Sequence, residues 1–171
     1  ASYSDHGHSF LKDVSRGSDT AEMPGFNYRM TEMQAAVGKV QLLKLPRLCE
    51  LHRERYMILL RALKLKVNVR QPFHDLDIPS YDAFIITSLA PTVIERFISV
   101  MEALDFGTKN LPDAMNWHCS YFWRHAISAE NSVENHMIYR LLASSLAIPI
   151  LAAKPKHHYV ELANSLLDLL E

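Results

Sequence analysis

Apolar and polar positions along this 171-residue chain fall into stretches of different period. The opening thirty residues keep to none and are interrupted by Gly7, Gly17, Pro24 and Gly25. From Thr31 a helical repeat begins, with Met33, Ala36, Val37, Val40 and Leu43 on one face. Thr31 is placed to cap that helix, and Gln34, three residues on, completes a capping-box pattern. Ala35, Ala36 and Gly38 are small enough for another backbone to come close. Pro46 is expected to end or kink the helix. A second one is expected from Arg47 to about Lys64, with Leu48, His52, Tyr56, Leu59 and Leu63 along one side and Arg47, Glu50, Glu54 and Arg61 opposite.

The period then changes. Lys66 to Arg70 alternates, with Val67 and Val69 on one side, and Asp82 to Leu89 is a β-type run. Pro91 suits the first position of a helix whose face is Val93, Ile94, Phe97, Ile98, Met101 and Leu104. A short strand at Phe106 to Thr108 and a long aromatic-rich loop from Lys109 to His125 are expected next. A helix over Ser132 to Ser145, a strand over Ala147 to Leu151 and a closing helix over Tyr159 to Leu170 complete the order. In the last helix Val160, Ala163, Leu166, Leu167 and Leu170 are expected to be buried. Strands that look hairpin-like, mixed with helices and without regular βαβ units, predict an α+β class. There is no internal repeat or low-complexity segment.

Composition narrows the function classes. About half the residues are hydrophobic, enough for one sizeable core or a piece of a larger one. A formal net charge of −1 leaves no basic footprint for nucleic acid or an anionic membrane. The longest small and apolar stretch, Ala143 to Ala153, is too short to span a bilayer and contains Pro149. Cys49 and Cys119 form no disulfide framework, and the N-terminus lacks the basic region and apolar run of a secretion signal, so a cytoplasmic setting is expected. The first residue is not Met, so a processed, truncated or excised chain is expected.

Nine histidines raise the question of metal binding. His6 and His8 form H-x-H, Cys49 and His52 form C-x2-H, and His118 adjoins Cys119 with His125 nearby. None is matched by a second pair at structural-zinc spacing, and H-E-x-x-H is absent, so polar loop histidines are expected rather than ligands. Cys119 directly follows His118, and sequence neighbours rarely point at each other, so a Cys/His nucleophile is not indicated. No phosphate-binding glycine loop is present.

The stretch Gly25-Phe26-Asn27-Tyr28-Arg29 delivers a turn to a helix N-terminus, where backbone N–H groups and the dipole favour an anion. Asn27 adds a neutral donor and Arg29 a planar cation suited to phosphate or carboxylate. Equally, Arg29 pairs with Glu32 or another local acid, and Asn27 tolerates a left-handed turn.

The run GFNYRMTEMQAAVGKVQLLKL resembles the signature of the DegT/DnrJ/EryC1/StrS family of pyridoxal-phosphate sugar aminotransferases. DHGH at Asp5 to His8 is similar to the family's upstream His-Gly segment, and LCELHRERYMILLRAL continues the pattern. GTKNLPDAMNWH, Gly107 to His118, and IPI, Ile148 to Ile150, fall where members have a substrate-loop histidine and a final strand. Within the family, DHGH, RGSDT and KNLPDAMNWH most resemble 8-amino-3,8-dideoxy-manno-octulosonate transaminases.

The resemblance implies the C-terminal part of an aspartate-aminotransferase-type fold, with active sites at a dimer interface. Residues 1–30 would then belong to the large domain, 31–65 to interface and interdomain helices, and 66–171 to a small α+β domain. Asn27 would reach the phosphate of pyridoxal 5'-phosphate in the neighbouring subunit, and Arg29 and His118 would touch substrate. Glutamate or glutamine would donate an amino group to a keto-sugar in surface-polysaccharide or sugar-antibiotic biosynthesis. Family members are roughly twice this length, and their Schiff-base lysine lies upstream of the His-Gly segment. Lys39 and Lys44 lie in the amphipathic helix, and Lys12, Lys109, Lys154 and Lys156 in polar loops, without the family's serine-preceded context. No catalytic residue is therefore assigned to this chain, which is expected to be inactive alone and to work as a homodimer or beside a separate N-terminal half that carries the lysine. The alternative is a non-catalytic remnant or dimerising interaction module.

Overall fold

The computed structural model describes residues 30–71, 79–123 and 132–171, the side chains of the last stretch from His136 onward. The chain forms two compact units, Ala1–Leu45 and Pro46–Glu171. Helix α1, Glu32–Leu63, contributes to both. Its start is the expected capping box: the Gln34 backbone N–H donates to Thr31 Oγ1 at 3.3 Å, and the Thr31 N–H donates to Gln34 Oε1 at 2.9 Å. Pro46 lies inside the helix rather than ending it, so the two expected helices are one. Proline removes a single backbone bond there, and the Leu, Gln, Lys, Arg and Glu residues around it are good helix formers.

In the first unit the helix carries no core. Met33, Val37, Val40 and Leu43, the predicted apolar face, are between 51% and 81% exposed. A methyl group added at Gly38 would meet nothing within 4 Å.

The second unit holds the core. Its sheet has the order β1 (Asn68–Val69), β2 (Ala83–Thr87), β3 (Leu146–Pro149), antiparallel throughout. Phe84 pairs with Ile148 and Ile86 with Leu146, and all four are buried. Helix α2, Pro91–Ala103, has proline in its first turn and buries Ile94, Phe97 and Met101. Tyr56, Leu59 and Leu63 of α1 complete the cluster together with Tyr159, Leu162, Ala163 and Leu166 of α5, Lys156–Asp168. Each fully buried large side chain contributes about 1.5–3 kcal/mol. Between α2 and β3 lie α3, Met115–His118, a 3-10 turn at Ser120–Phe122, and α4, Ser132–Ala143.

Further expectations need correction. Phe106 to Thr108 is not a strand, because α2 ends in a Schellman turn. Asp105 takes a left-handed φ of 56°, its N–H donates to the Glu102 carbonyl, and the Phe106 N–H donates to the Met101 carbonyl at 2.7 Å. This turn drives Phe106 into the core, edge-on to Tyr159 at 5.1 Å. The loop expected over Lys109 to His125 contains α3 and the 3-10 turn. Val160 is 46% exposed, because α5 is rotated one position so that Tyr159 points inward and accepts the Leu151 N–H at 2.8 Å.

Arg55, which lies within the helix near Glu54, is buried. Its guanidinium donates to the carbonyls of Leu51, Ala152 and Lys154 at 2.7–2.8 Å. The Lys154 ammonium in turn bonds the Asp105 backbone and carboxylate and sits 4.2 Å over the Phe106 ring. Asp82, just before β2, is ion-paired with Lys109 and accepts from Ser80 Oγ at 2.7 Å. The Lys109 ammonium, followed by the Ser80 hydroxyl, holds the Asp82 carboxyl below its ordinary range.

Two outcomes follow from these contacts. Arg55→Met takes away the side-chain donor shared by the Ala152 and Lys154 carbonyls and should lower stability by about 3 kcal/mol, with Arg55→Lys recovering only part because an ammonium lacks the fork. Urea unfolding measures this, and a shift no larger than that of exposed Arg53→Met would remove the clamp from the account. Asp82, protonated more readily in the unfolded chain, contributes stability above its unfolded pKa that fades as pH falls through its lower folded value. The pair is half exposed, so the gap between wild type and Asp82→Asn should be below about 1 kcal/mol near neutral pH. That gap should close in acid, and thermal melts across pH that show a constant gap would contradict it.

Candidate functional site

The segment from Gly107 to Trp123 carries His118. Its entry is fastened to the sheet: the Lys109 N–H donates to the Ala147 carbonyl at 2.8 Å, and the Ala147 N–H donates to the Leu111 carbonyl at 3.3 Å. The Thr108 hydroxyl donates to the Asp113 carboxylate, and the Ala114 N–H donates to the Asn110 carbonyl at 2.9 Å, which folds the chain back into α3. Asn110 takes the left-handed φ of 69° that this reversal needs, a conformation asparagine tolerates well. At the exit, Cys119 is enclosed, 1% exposed. Tyr121 then stacks against Tyr139 of α4 at 4.8 Å and meets His136 at 5.0 Å.

Between these anchors α3 presents Asn116, Trp117 and His118 to solvent. Trp117 is 78% exposed, and its carbonyl accepts the Trp123 indole N–H at 3.0 Å. His118 and Cys119 are thus separated by burial, one exposed and the other enclosed, and do not form a nucleophile pair. An imidazole and a carboxamide beside an open indole face suit a ligand that is polar at its edges and apolar on its face.

Of the sequence-predicted site residues, only His118 falls within the described residues. Asn27 and Arg29 lie outside them, as do His6, His8 and His125. Sequence reasoning missed Asp82 and Lys109, which stand 27 positions apart and carry no local pattern. His52 is partly buried, and its Nδ1 lies 3.1 Å from the Ser80 carbonyl. Among the described residues no three His, Cys, Asp or Glu side chains come together as a metal site, and no helix is long and apolar enough to cross a membrane.

Two open cavities lie in the second unit. One, of about 350 Å³, is lined by Lys64, Lys66, Asn68, Thr87 and Ser88. The other, of about 490 Å³, lies over Met57 and Ile58 and is rimmed by Arg53, Glu54, Arg61 and Lys156. There Lys156, 3.0 Å from Glu54, lowers the Glu54 carboxyl below its ordinary range. Pyridoxal phosphate needs a lysine, an acid for its ring nitrogen and a flat side chain to stack on. Neither of these two cavities has an aromatic ring in its lining, so neither by itself forms a holder for that cofactor. Lys109 and Lys154 are engaged with Asp82 and Asp105, and Lys39 and Lys44 are exposed on α1. Lys156, expected in a loop, opens α5.

The fold has relatives of known structure. Spr1654 of Streptococcus pneumoniae, assigned as a sugar aminotransferase and solved in its PMP form, matches with a TM-score of 0.66 at 12% identity over 98% of this chain and 43% of that one. The aminotransferase TlmJ of Streptoalloteichus hindustanus matches at 0.63 and 17% over 88% of this chain and 39% of that one. PseC of Helicobacter pylori, an aminotransferase of pseudaminic acid biosynthesis, matches at 0.57 and 17% over 98% and 44%. At such identities the likeness is one of fold, and the chain spans about two fifths of the length of these structures. No match is found among curated proteins. The sequence model of the DegT/DnrJ/EryC1/StrS aminotransferase family, whose enzymes depend on pyridoxal phosphate, matches residues 2–121. Extending over well more than half of the residues, that match places the chain in the DegT/DnrJ/EryC1/StrS aminotransferase family, as part of its pyridoxal-phosphate-dependent transferase fold.

Proposed function

We propose that the chain is the C-terminal part of a sugar aminotransferase that moves an amino group from glutamate or glutamine to a keto-sugar in surface-polysaccharide or sugar-antibiotic biosynthesis in the cytoplasm. Residues 1–30 complete a large domain, 31–65 supply interface and interdomain helices, and 66–171 form the small domain. Asn27 donates to the cofactor phosphate of a neighbouring subunit, Arg29 binds an anionic group of substrate, and His118 hydrogen-bonds the sugar. Pyridoxal phosphate, held mainly by another part of the assembly together with its lysine, supplies the electron sink for amino transfer.

The observation that carries this proposal is the bare apolar face of α1. Met33, Val37, Val40 and Leu43 repeat at helical spacing, yet all four are exposed, and the space beside Gly38 is open. A contiguous apolar stripe left in water marks a contact surface. A homodimer partner or a lysine-bearing half of the enzyme fits it.

The test is intact mass of the protein from its native source after addition of pyridoxal phosphate and borohydride reduction. A chain of about double the mass, or a copurifying chain, bearing the reduced adduct supports the aminotransferase reading. A lone chain of 19.6 kDa without adduct rejects it in favour of an interaction module. In the active assembly Asn27→Ala removes a hydrogen bond to a charged group. It should weaken cofactor retention by roughly 1.5–3 kcal/mol. Equilibrium dialysis of the cofactor measures this, and an unchanged affinity takes Asn27 out of the site.

A further inference from the structure

We propose that the Asp82–Lys109 ion pair is a positioning latch that fixes the orientation of the segment bearing Asn116, Trp117 and His118. Its value for the reaction rests on the assignment of His118 as a sugar contact. Among the described residues, the backbone of the segment reaches the sheet through two hydrogen bonds, Lys109 N–H to Ala147 and Ala147 N–H to Leu111, and both involve the same strand residue. Two bonds to one residue hold a segment in place but leave it free to swing about that residue. A further attachment on a different strand removes the swing.

The Lys109 ammonium provides that attachment. It pairs with the Asp82 carboxylate and lies 3.3 Å from the Asp82 carbonyl, at the entrance to β2. Asp82 is itself held from two sides. Its carbonyl accepts the Ile150 N–H at 3.0 Å, and its carboxylate accepts the Ser80 hydroxyl at 2.7 Å. The Ser80 carbonyl meets His52 Nδ1 of α1 at 3.1 Å. A continuous run of polar contacts therefore joins the buried half of α1 to the loop.

The side chains of the pair are 37% and 50% exposed, so the pair contributes little to global stability. What it fixes is direction, and α3 begins six residues beyond Lys109. Beyond α3, Cys119 is enclosed and Tyr121 packs on Tyr139 of α4, so the exposed turn is held from both sides.

Trp117 and Trp123 are the only tryptophans in the chain, so indole fluorescence reports on this segment alone. In Asp82→Asn and Lys109→Met, fluorescence anisotropy should fall while the thermal midpoint stays close to wild type, and Lys109→Arg should restore it. Lys156→Met, which breaks the ion pair with Glu54, serves as the control and should leave the anisotropy unchanged. Unchanged anisotropy in both latch variants, or a loss matched by the control, overturns the proposal. In the complete assembly, Asp82→Asn should raise the KM for sugar severalfold and leave the half-reaction with the amino donor unaltered. A raised KM in His118→Ala without one in Asp82→Asn also overturns the latch and leaves the role of His118 standing. No change in His118→Ala, with anisotropy lost in Asp82→Asn, upholds the latch and rejects the role of His118.

Discussion

The second unit depends on one buried guanidinium. Among the described residues Arg55 has no carboxylate closer than Glu54 at 4.0 Å, and its charge is met instead by three backbone carbonyls. Burying a charge is costly unless its donors are satisfied, and a planar fork with five N–H groups can satisfy carbonyls that a lysine could not reach together. The carbonyls of Ala152 and Lys154 lie just after β3 and just before α5, so the clamp sets where the chain turns between them. Lys154 extends it: its carbonyl faces Arg55, and its ammonium caps the end of α2 through Asp105. One residue pair thereby registers three helices against a sheet of only three strands.

That registration lets a small sheet carry the loop that bears His118. β2 and β3 are distant in sequence but paired in register, which brings Asp82 beside Ile150 and places Ala147 where the loop can bond to it. Hydrophobic burial supplies most of the stability, through Phe84, Ile86, Leu146 and Ile148 on the strands and Phe97, Met101 and Tyr159 on the helices. The exposed Asp82–Lys109 pair then specifies direction at low energetic weight.

Local patterns were legible in the sequence wherever both partners of a contact are close along the chain. The Thr31–Gln34 box, the proline that opens α2 and the alternating run of β2 needed no tertiary knowledge. Arg55 was not legible, because its distant acceptors are main-chain carbonyls 97 and 99 positions away and carbonyls leave no mark on residue type. The turn after α2 was missed for a related reason: aspartate fills the left-handed position where glycine would have signalled it. Val160 was misplaced because a shift of one residue turns a helix by about 100°, and the hydroxyl of Tyr159, bonded to Leu151, selects the rotation. At the candidate site His118 stood out through its motif, whereas Lys109 and Asp82 needed the sheet to bring them together.

The two halves of α1 show how one helix can serve stability and assembly separately. From Arg55 onward its inward side is covered by the core, with Tyr56, Leu59 and Leu63 at 5% exposure or less. Before Pro46 the same kind of repeat meets water. Helix propensity and the capping box can hold the early turns in shape, but an apolar stripe is not needed for that, since polar helix formers would serve equally well. The stripe therefore records a requirement from outside the described residues. Asn27 and Arg29, the candidate anion contacts, immediately precede this stretch in the sequence. Under the proposed assignment, a surface that mates with a second chain would adjoin in sequence the residues that reach for that chain's cofactor, as in an active site shared between subunits. On that proposal the apolar face of α1 before Pro46 owes its sequence to a partner, whereas the half from Arg55 onward owes its own to the core.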